Sequence, residues 1–189
     1  MMEKVRNMKL QSRILSGFGI VLFLLAAMSA TVYFRLTGIE SNSRNSGHYN
    51  EHYVFMLEKE IDHFRWYQDL RDIVLLGDHS KDVETDHTSC SLGSFLHGKE
   101  VEEIAKLDPE AAEIIEQMKQ PHEKLHDSAI EILTLTEEGA EEEAVNILNT
   151  DTEQALDQTR QVMGTLHAHL EEGAHSSRQK LLESVADTS

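Results

Sequence analysis

Two prolines, ten glycines and an aromatic share of 6% in 189 residues leave little material for turns or strands. That scarcity excludes a sandwich or barrel, which needs many Gly/Pro turns and β-branched strands, and it suits long helices. Positive charge is also short. Lys and Arg number 17 against 34 Asp and Glu, for a formal charge of −17. A chain this acidic repels phosphate backbones, and it has no Gly-rich phosphate loop, so nucleic acid and nucleotide are excluded as partners. A single cysteine, Cys90, excludes an intramolecular disulfide. What the chain does have is histidine, eleven in all. One cysteine among many imidazoles is a first indication of metal. The length and the 40% hydrophobic content predict one packed domain with an appendage.

Residues 14–34 form a charge-free stretch. As a helix rising 1.5 Å per residue it would span about 30 Å, the thickness of a bilayer's hydrocarbon core. Lys4, Arg6, Lys9 and Arg13 precede it, opposed only by Glu3. The positive-inside rule then places residues 1–13 in the cytoplasm and residues 35–189 outside. The expectation is a single-pass protein of a bacterial inner membrane with a periplasmic C-terminal domain. A cleaved signal peptide is the rival reading, because Ala26, Ala27, Ser29 and Ala30 supply small residues near a possible cut. From Arg35 onward 13 basic residues face 33 acidic ones, so this part should stand off anionic lipid.

The remainder reads as all-α, an antiparallel four-helix bundle. Val54, Leu57, Ile61 and Phe64 recur at spacings of three and four, one stripe of a helix, with Met56, His63, Tyr67, Leu70 and Val74 as its neighbour. Gly77-Asp78 is a stop signal, and residues 78–89 read as a polar loop. Residues 91–107 predict a shorter helix interrupted near Gly98. Asp108-Pro109 is a helix start. Ile115, Met118, His122, Leu125, Ala129 and Ile132 hold the next stripe, with Pro121 predicted to kink or restart the helix. Thr150 with Glu153 predicts a capping box. Leu156, Thr159, Met163, Leu166 and Leu170 carry the last helix.

Four residues carry the candidate chemistry. His122 and His126 lie four apart, on one helical face, where both imidazoles can reach one metal. Cys90 sits between a polar loop and a helix start, where a thiolate would be favoured. His63 lies on an inward stripe, three residues before Trp66. Three imidazoles and a thiolate suit tetrahedral Zn²⁺. Against this stands the plain alternative that a histidine on an apolar stripe is a hydrogen-bonded core residue.

The segment His87-Thr-Ser-Cys90-Ser-Leu92-Gly93-Ser-Phe95-Leu96 resembles the central motif of the chemoreceptor zinc-binding family, although that family usually has Trp where Phe95 stands. His63 with Trp66 resembles its His-x-x-Trp element. His122 and His126, followed by Ala129, resemble its His-x-x-x-His element. The resemblance covers roughly residues 58–135. It implies a four-helix zinc domain of the kind carried by bacterial chemoreceptors and diguanylate cyclases, with His63, Cys90, His122 and His126 as zinc ligands. It further implies a sensor of zinc or oxidant without catalysis, a parallel homodimer, and a downstream signalling module missing from this chain. Many members of that family are cytoplasmic, in tension with the exterior placement.

His122-Glu123-Lys124-Leu125-His126 also fits H-E-x-x-H, the zinc metallopeptidase pattern in which Glu is the general base. A peptidase needs an open position for water and a strand to hold substrate. No strand is predicted, and Cys90 with His63 would fill the open position. A metal-free helical bundle that binds a small ligand is the third reading. His48 and His52 are also four apart but read as a solvated face. His87 could exchange with Cys90 as a ligand or hydrogen-bond its thiolate. His167, His169 and His175 read as scattered surface residues.

Overall fold

The structure is a computed structural model that describes residues 10–186. The N-terminal segment with Lys4, Arg6 and Lys9, on which the orientation argument rests, lies outside the described residues. Among the described residues the fold is all-helical with no strand. In chain order the elements are α1 (Leu10–Leu76), α2 (Ser91–Leu96), α3 (Lys99–Leu107), α4 (Pro109–Glu137), α5 (Glu141–Ile147), a π-helical turn (Leu148–Thr152) and α6 (Glu153–Ala186).

The chain divides into two compact units, one taking in the chain through Ser46 together with Ser176 onward, the other Gly47–His175. In the first unit, Ile14–Glu40 is a helical stretch long and apolar enough to cross a membrane, with none of its most apolar window buried. Thr31 Oγ1 donates to the Ala27 carbonyl and Thr37 Oγ1 to the Phe34 carbonyl, so these hydroxyls are satisfied within the helix.

In the second unit the local signals largely act as expected. α1 stops at Gly77, whose φ of 67° is open to glycine at little cost. The Gly77 amide bonds the Ile73 carbonyl at 3.1 Å, the bond of an αL cap, and the Asp78 amide bonds back to the Asp72 carbonyl. Asp108 caps α4, its Oδ1 accepting from the Ala111 amide at 3.0 Å, with Pro109 at the first helical position. α4 does not restart at Pro121 but runs unbroken to Glu137. The capping box is corrected. Helix continues through Leu148–Thr152 as a π turn, so no helix start exists there to cap, and Thr150 Oγ1 bonds the Asn146 carbonyl instead.

Two apolar clusters account for most of the core. One joins Met56 of α1, Leu92 and Leu96 of α2, Ile115 and Met118 of α4, and Met163 and Leu166 of α6. The other joins Leu70 and Ile73 of α1, Ala129 and Ile132 of α4, and Ile147 and Leu148. The predicted stripes of α4 and α6 are buried along their length. On α1 the two stripes divide differently. Met56, His63 and Leu70 point into the core, whereas Val54, Leu57, Ile61 and Phe64 are 37–51% exposed. Both stripes have helical spacing, and only packing decides which one the core takes.

The turn into α2 is held by a close backbone approach. A Cβ on Gly93 would overlap the His87 carbonyl oxygen and lie 3.0 Å from Thr88 Cα. Gly93→Ala should therefore destabilise the protein by more than about 2 kcal/mol. Gly164→Ala, on an exposed part of α6 with nothing within 4 Å, should stabilise it by about 0.5–1 kcal/mol. Thermal melts of the two variants check the pair. Equal effects would remove the steric argument for glycine in the Leu92-Gly93 motif.

Candidate metal centre

His63, His122 and His126 form a polar layer between the two apolar clusters. On α1, His63 lies one heptad after Met56 and one before Leu70. On α4, His122 and His126 lie between Met118 and Ala129. All three are 5% exposed or less. Cys90 reaches the layer from the end of the 77–90 loop, as the N-cap of α2, its Sγ accepting from the Gly93 amide at 3.2 Å.

The four side chains converge. His63 Nε2 and His122 Nε2 are 3.1 Å apart. Cys90 Sγ lies 3.3 Å from His122 Nε2 and 3.9 Å from His63 Nε2. One ligand atom from each of His63, Cys90, His122 and His126 falls within 4.8 Å of every other.

Backbone carbonyls set the tautomers of two imidazoles. His63 Nδ1 donates to the Lys59 carbonyl at 2.7 Å, and His126 Nδ1 donates to the Glu84 carbonyl at 2.8 Å. Each ring thus presents an Nε2 lone pair to the centre, the second-layer arrangement usual for metal-ligating histidine. The Glu84 carbonyl is a fork, because Trp66 Nε1 donates to it as well, at 2.8 Å. That contact explains the tryptophan three residues after His63. It straps the loop to α1 and holds in place the oxygen that orients His126.

His126 Nε2 is buried without a hydrogen-bond partner. An orphaned lone pair among two other imidazole nitrogens and a sulfur is costly unless something binds it. A cation that accepts three nitrogens and one sulfur removes that cost, and zinc is the common ion of this donor set. The residues fit the metal.

Burial sets the protonation states. Desolvation pushes His122 down to about 2 and His126 down to about 4, with neighbouring imidazoles adding to the shift, and it lowers His63. All three rings are therefore neutral at pH 7 and available as ligands. Cys90 corrects the sequence expectation. It does cap a helix, and the Gly93 and Leu92 amides draw its pKa down, but burial outweighs them and the thiol is raised. The metal-free protein holds a thiol at this position, and a bound cation is what makes it a thiolate.

Two contributors were not singled out from sequence. Asp86 Oδ1 accepts from Thr88 Oγ1 at 2.7 Å and from the Thr88 amide at 2.8 Å, and Oδ2 from Ser89 Oγ at 2.8 Å, bonds that hold its carboxyl at about 2 and shape the turn leading to Cys90. The Asp-x-Thr-Ser pattern is the signal that could have found it. Glu84 acts through its carbonyl, which leaves no trace in residue type.

Glu123 is exposed while His122 and His126 are buried, so it does not face the centre as a peptidase base would. His48 and His52 stack at 6.4 Å but join no cluster of metal donors among the described residues. Two histidines taken as surface residues are engaged instead. His169 Nε2 lies 2.9 Å from Asp108 Oδ2, and the His167 ring lies 5.1 Å from that of Tyr53.

A thiol that becomes a thiolate on coordination must give up its proton. Zinc added to the metal-free chain at pH 7.5 should release about one proton per metal, measured as a buffer-dependent heat. Cys90→Ser should bind more weakly and release close to none. Equal release from both would contradict the raised thiol.

Residues 63–133 match the family described as the chemoreceptor zinc-binding domain, CZB. No curated protein and no solved structure matches the chain. The matched stretch contains all four converging side chains and the Trp66 strap. Members of this family are cytoplasmic domains, which overturns the periplasmic placement expected from the charge bias. The family is a sensory one whose domain binds zinc, and in this chain His63, Cys90, His122 and His126 are positioned for a metal ion.

Proposed function

We propose that residues 63–133 are the zinc-binding core of a non-catalytic sensory module in a chemoreceptor-like protein, with His63, Cys90, His122 and His126 as the ligands. The observation that carries the reading is the orphaned Nε2 of buried His126, facing two imidazoles and a thiol at coordinating range. Zinc, when bound, supplies a cationic centre that satisfies all four donors. The four come from three stretches of chain, α1, the end of the 77–90 loop and α4. Packed as an antiparallel four-helix bundle, these stretches are free to shift against one another unless something ties them.

The chain's own residues set how large that shift is. His63 is tied to α1 through the Lys59 carbonyl, and His126 to the loop through Glu84. The apolar clusters above and below the layer keep the helices folded without metal. A zinc finger, by contrast, has no such core and unfolds. The difference between the two states is then one of packing, which a ligand can bias when it binds them unequally. Membrane attachment through residues 14–34 is part of the reading, supported by the exposure of every bulky apolar side chain from Ile14 to Phe34. A second copy of the chain covers the exposed Val54, Leu57, Ile61 and Phe64 face, whose three-four-three spacing fits a helix-helix seam.

The test uses the full chain in detergent, purified without chelator. Elemental analysis should find one zinc per chain, and light scattering should give a dimer. Chelation should leave helical circular dichroism nearly intact, lower the melting temperature and raise amide exchange across residues 80–98. Absence of zinc with no uptake on titration refutes the metal assignment. An unfolded metal-free chain makes zinc purely structural, and identical exchange in both forms removes the sensing mechanism.

A further inference from the structure

The His63–Cys90–His122–His126 set does not use every imidazole near it. His87 stands three residues before Cys90 on the same turn, half-buried, its ring centroid 6.4 Å from that of His122 at an interplanar angle of 81°. It also meets His97, at 5.8 Å. The centroids of the three converging histidines are 4.7, 5.1 and 5.9 Å apart. Two imidazoles on one tetrahedral zinc, each nitrogen about 2.0 Å from the metal, place their centroids about 5 Å apart. His87 is therefore only about 1 Å farther from His122 than a ligand would be.

The backbone around His87 is pinned at two places, and Asp86 braces the turn between them through Thr88 and Ser89. The Glu84 carbonyl is held by Trp66 and His126, and Cys90 is held as the cap of α2. Residues 85–89 between these points are not helical, and the His87 backbone lies against Gly93. The step the proposal needs is a rotation of the His87 side chain toward the centre from this turn, with no helix required to move.

We infer that His87 is a standby ligand, which takes the fourth position on the metal whenever the Cys90 sulfur is not coordinated. This rests on the zinc-site reading above. The exchange replaces one thiolate among three neutral imidazoles with a fourth neutral imidazole. The donor set loses its negative charge while the metal stays in place. Loss of the sulfur would then be recorded at the centre as a change in charge and in the conformation of the turn, without loss of zinc.

The experiment compares the full-length chain with Cys90→Ser, Cys90→Ser/His87→Ala, Cys90→Ser/His97→Ala and His87→Ala, titrated with Zn²⁺ and, for spectra, Co²⁺. Serine keeps a capping acceptor for the Gly93 amide and is a poor zinc ligand. Should it fail to fold by circular dichroism, Cys90→Asn, which also caps, replaces it in every comparison. The wild type with Co²⁺ should show a thiolate charge-transfer band in the near ultraviolet. Cys90→Ser should lose that band, keep visible d–d absorption of tetrahedral strength, and bind zinc about 10–100-fold more weakly. Removing His87 as well should weaken binding by about a further tenfold or more and collapse the d–d intensity. Removing His97 from the same background, or His87 from the wild type, should change affinity by less than about threefold. Equal affinity and spectra for Cys90→Ser with and without His87 overturn the inference. So does complete loss of metal from folded Cys90→Ser. A wild type that takes up no metal fails the zinc-site reading itself, and that result is separate from either of these.

Discussion

Burial of three neutral imidazoles between two apolar clusters is the constraint on which the rest of this unit depends. Such a layer is expensive unless every nitrogen is occupied. Two of the rings are satisfied on one side by carbonyls, Lys59 for His63 and Glu84 for His126. The opposite nitrogens then have nowhere to turn but toward one another and toward Cys90. Without metal, two like lone pairs and a protonated thiol share this space. With a cation, the same atoms become a complete donor set.

That constraint also explains the loop. The Glu84 carbonyl accepts from His126 and from Trp66, so a backbone oxygen in an irregular segment is held beside the buried layer by an indole on α1. Two residues later Asp86, with Thr88 and Ser89, forms the turn that delivers Cys90, and Gly93 lets α2 pack directly beneath it. Each of these residues acts on the position of an atom rather than on the metal. The site is consequently sensitive to movement of the loop, whereas the helices have apolar contacts of their own.

Much of this was legible in the sequence for an identifiable reason. His122 and His126 at a spacing of four share a face in any helix, and α4 has clear start and stop signals, so their juxtaposition follows from local structure. The stripes of α4 and α6 were legible for the same reason. The face of α1 was not. Its two apolar stripes lie about a third of a turn apart at the helical 100° per residue, and only tertiary packing puts Met56 and Leu70 inside and leaves Phe64 out. The Cys90 thiol also misleads at the local level, because a helix start favours thiolate and burial, which is not local, reverses it. Thr150 and Glu153 have the form of a cap, but the chain passes through them as a π turn. The periplasmic placement rested on charge bias alone, which carries no information about the domain that follows, and the family match overturns it.

The central claim is that one sulfur and three nitrogens from His63, Cys90, His122 and His126 surround a single zinc. X-ray absorption at the zinc edge of the loaded full-length chain tests it most directly. The account predicts four-coordinate zinc with one sulfur at about 2.3 Å and three imidazole nitrogens at about 2.0 Å. A first shell without sulfur, or one holding a bound water in an open position, would contradict it.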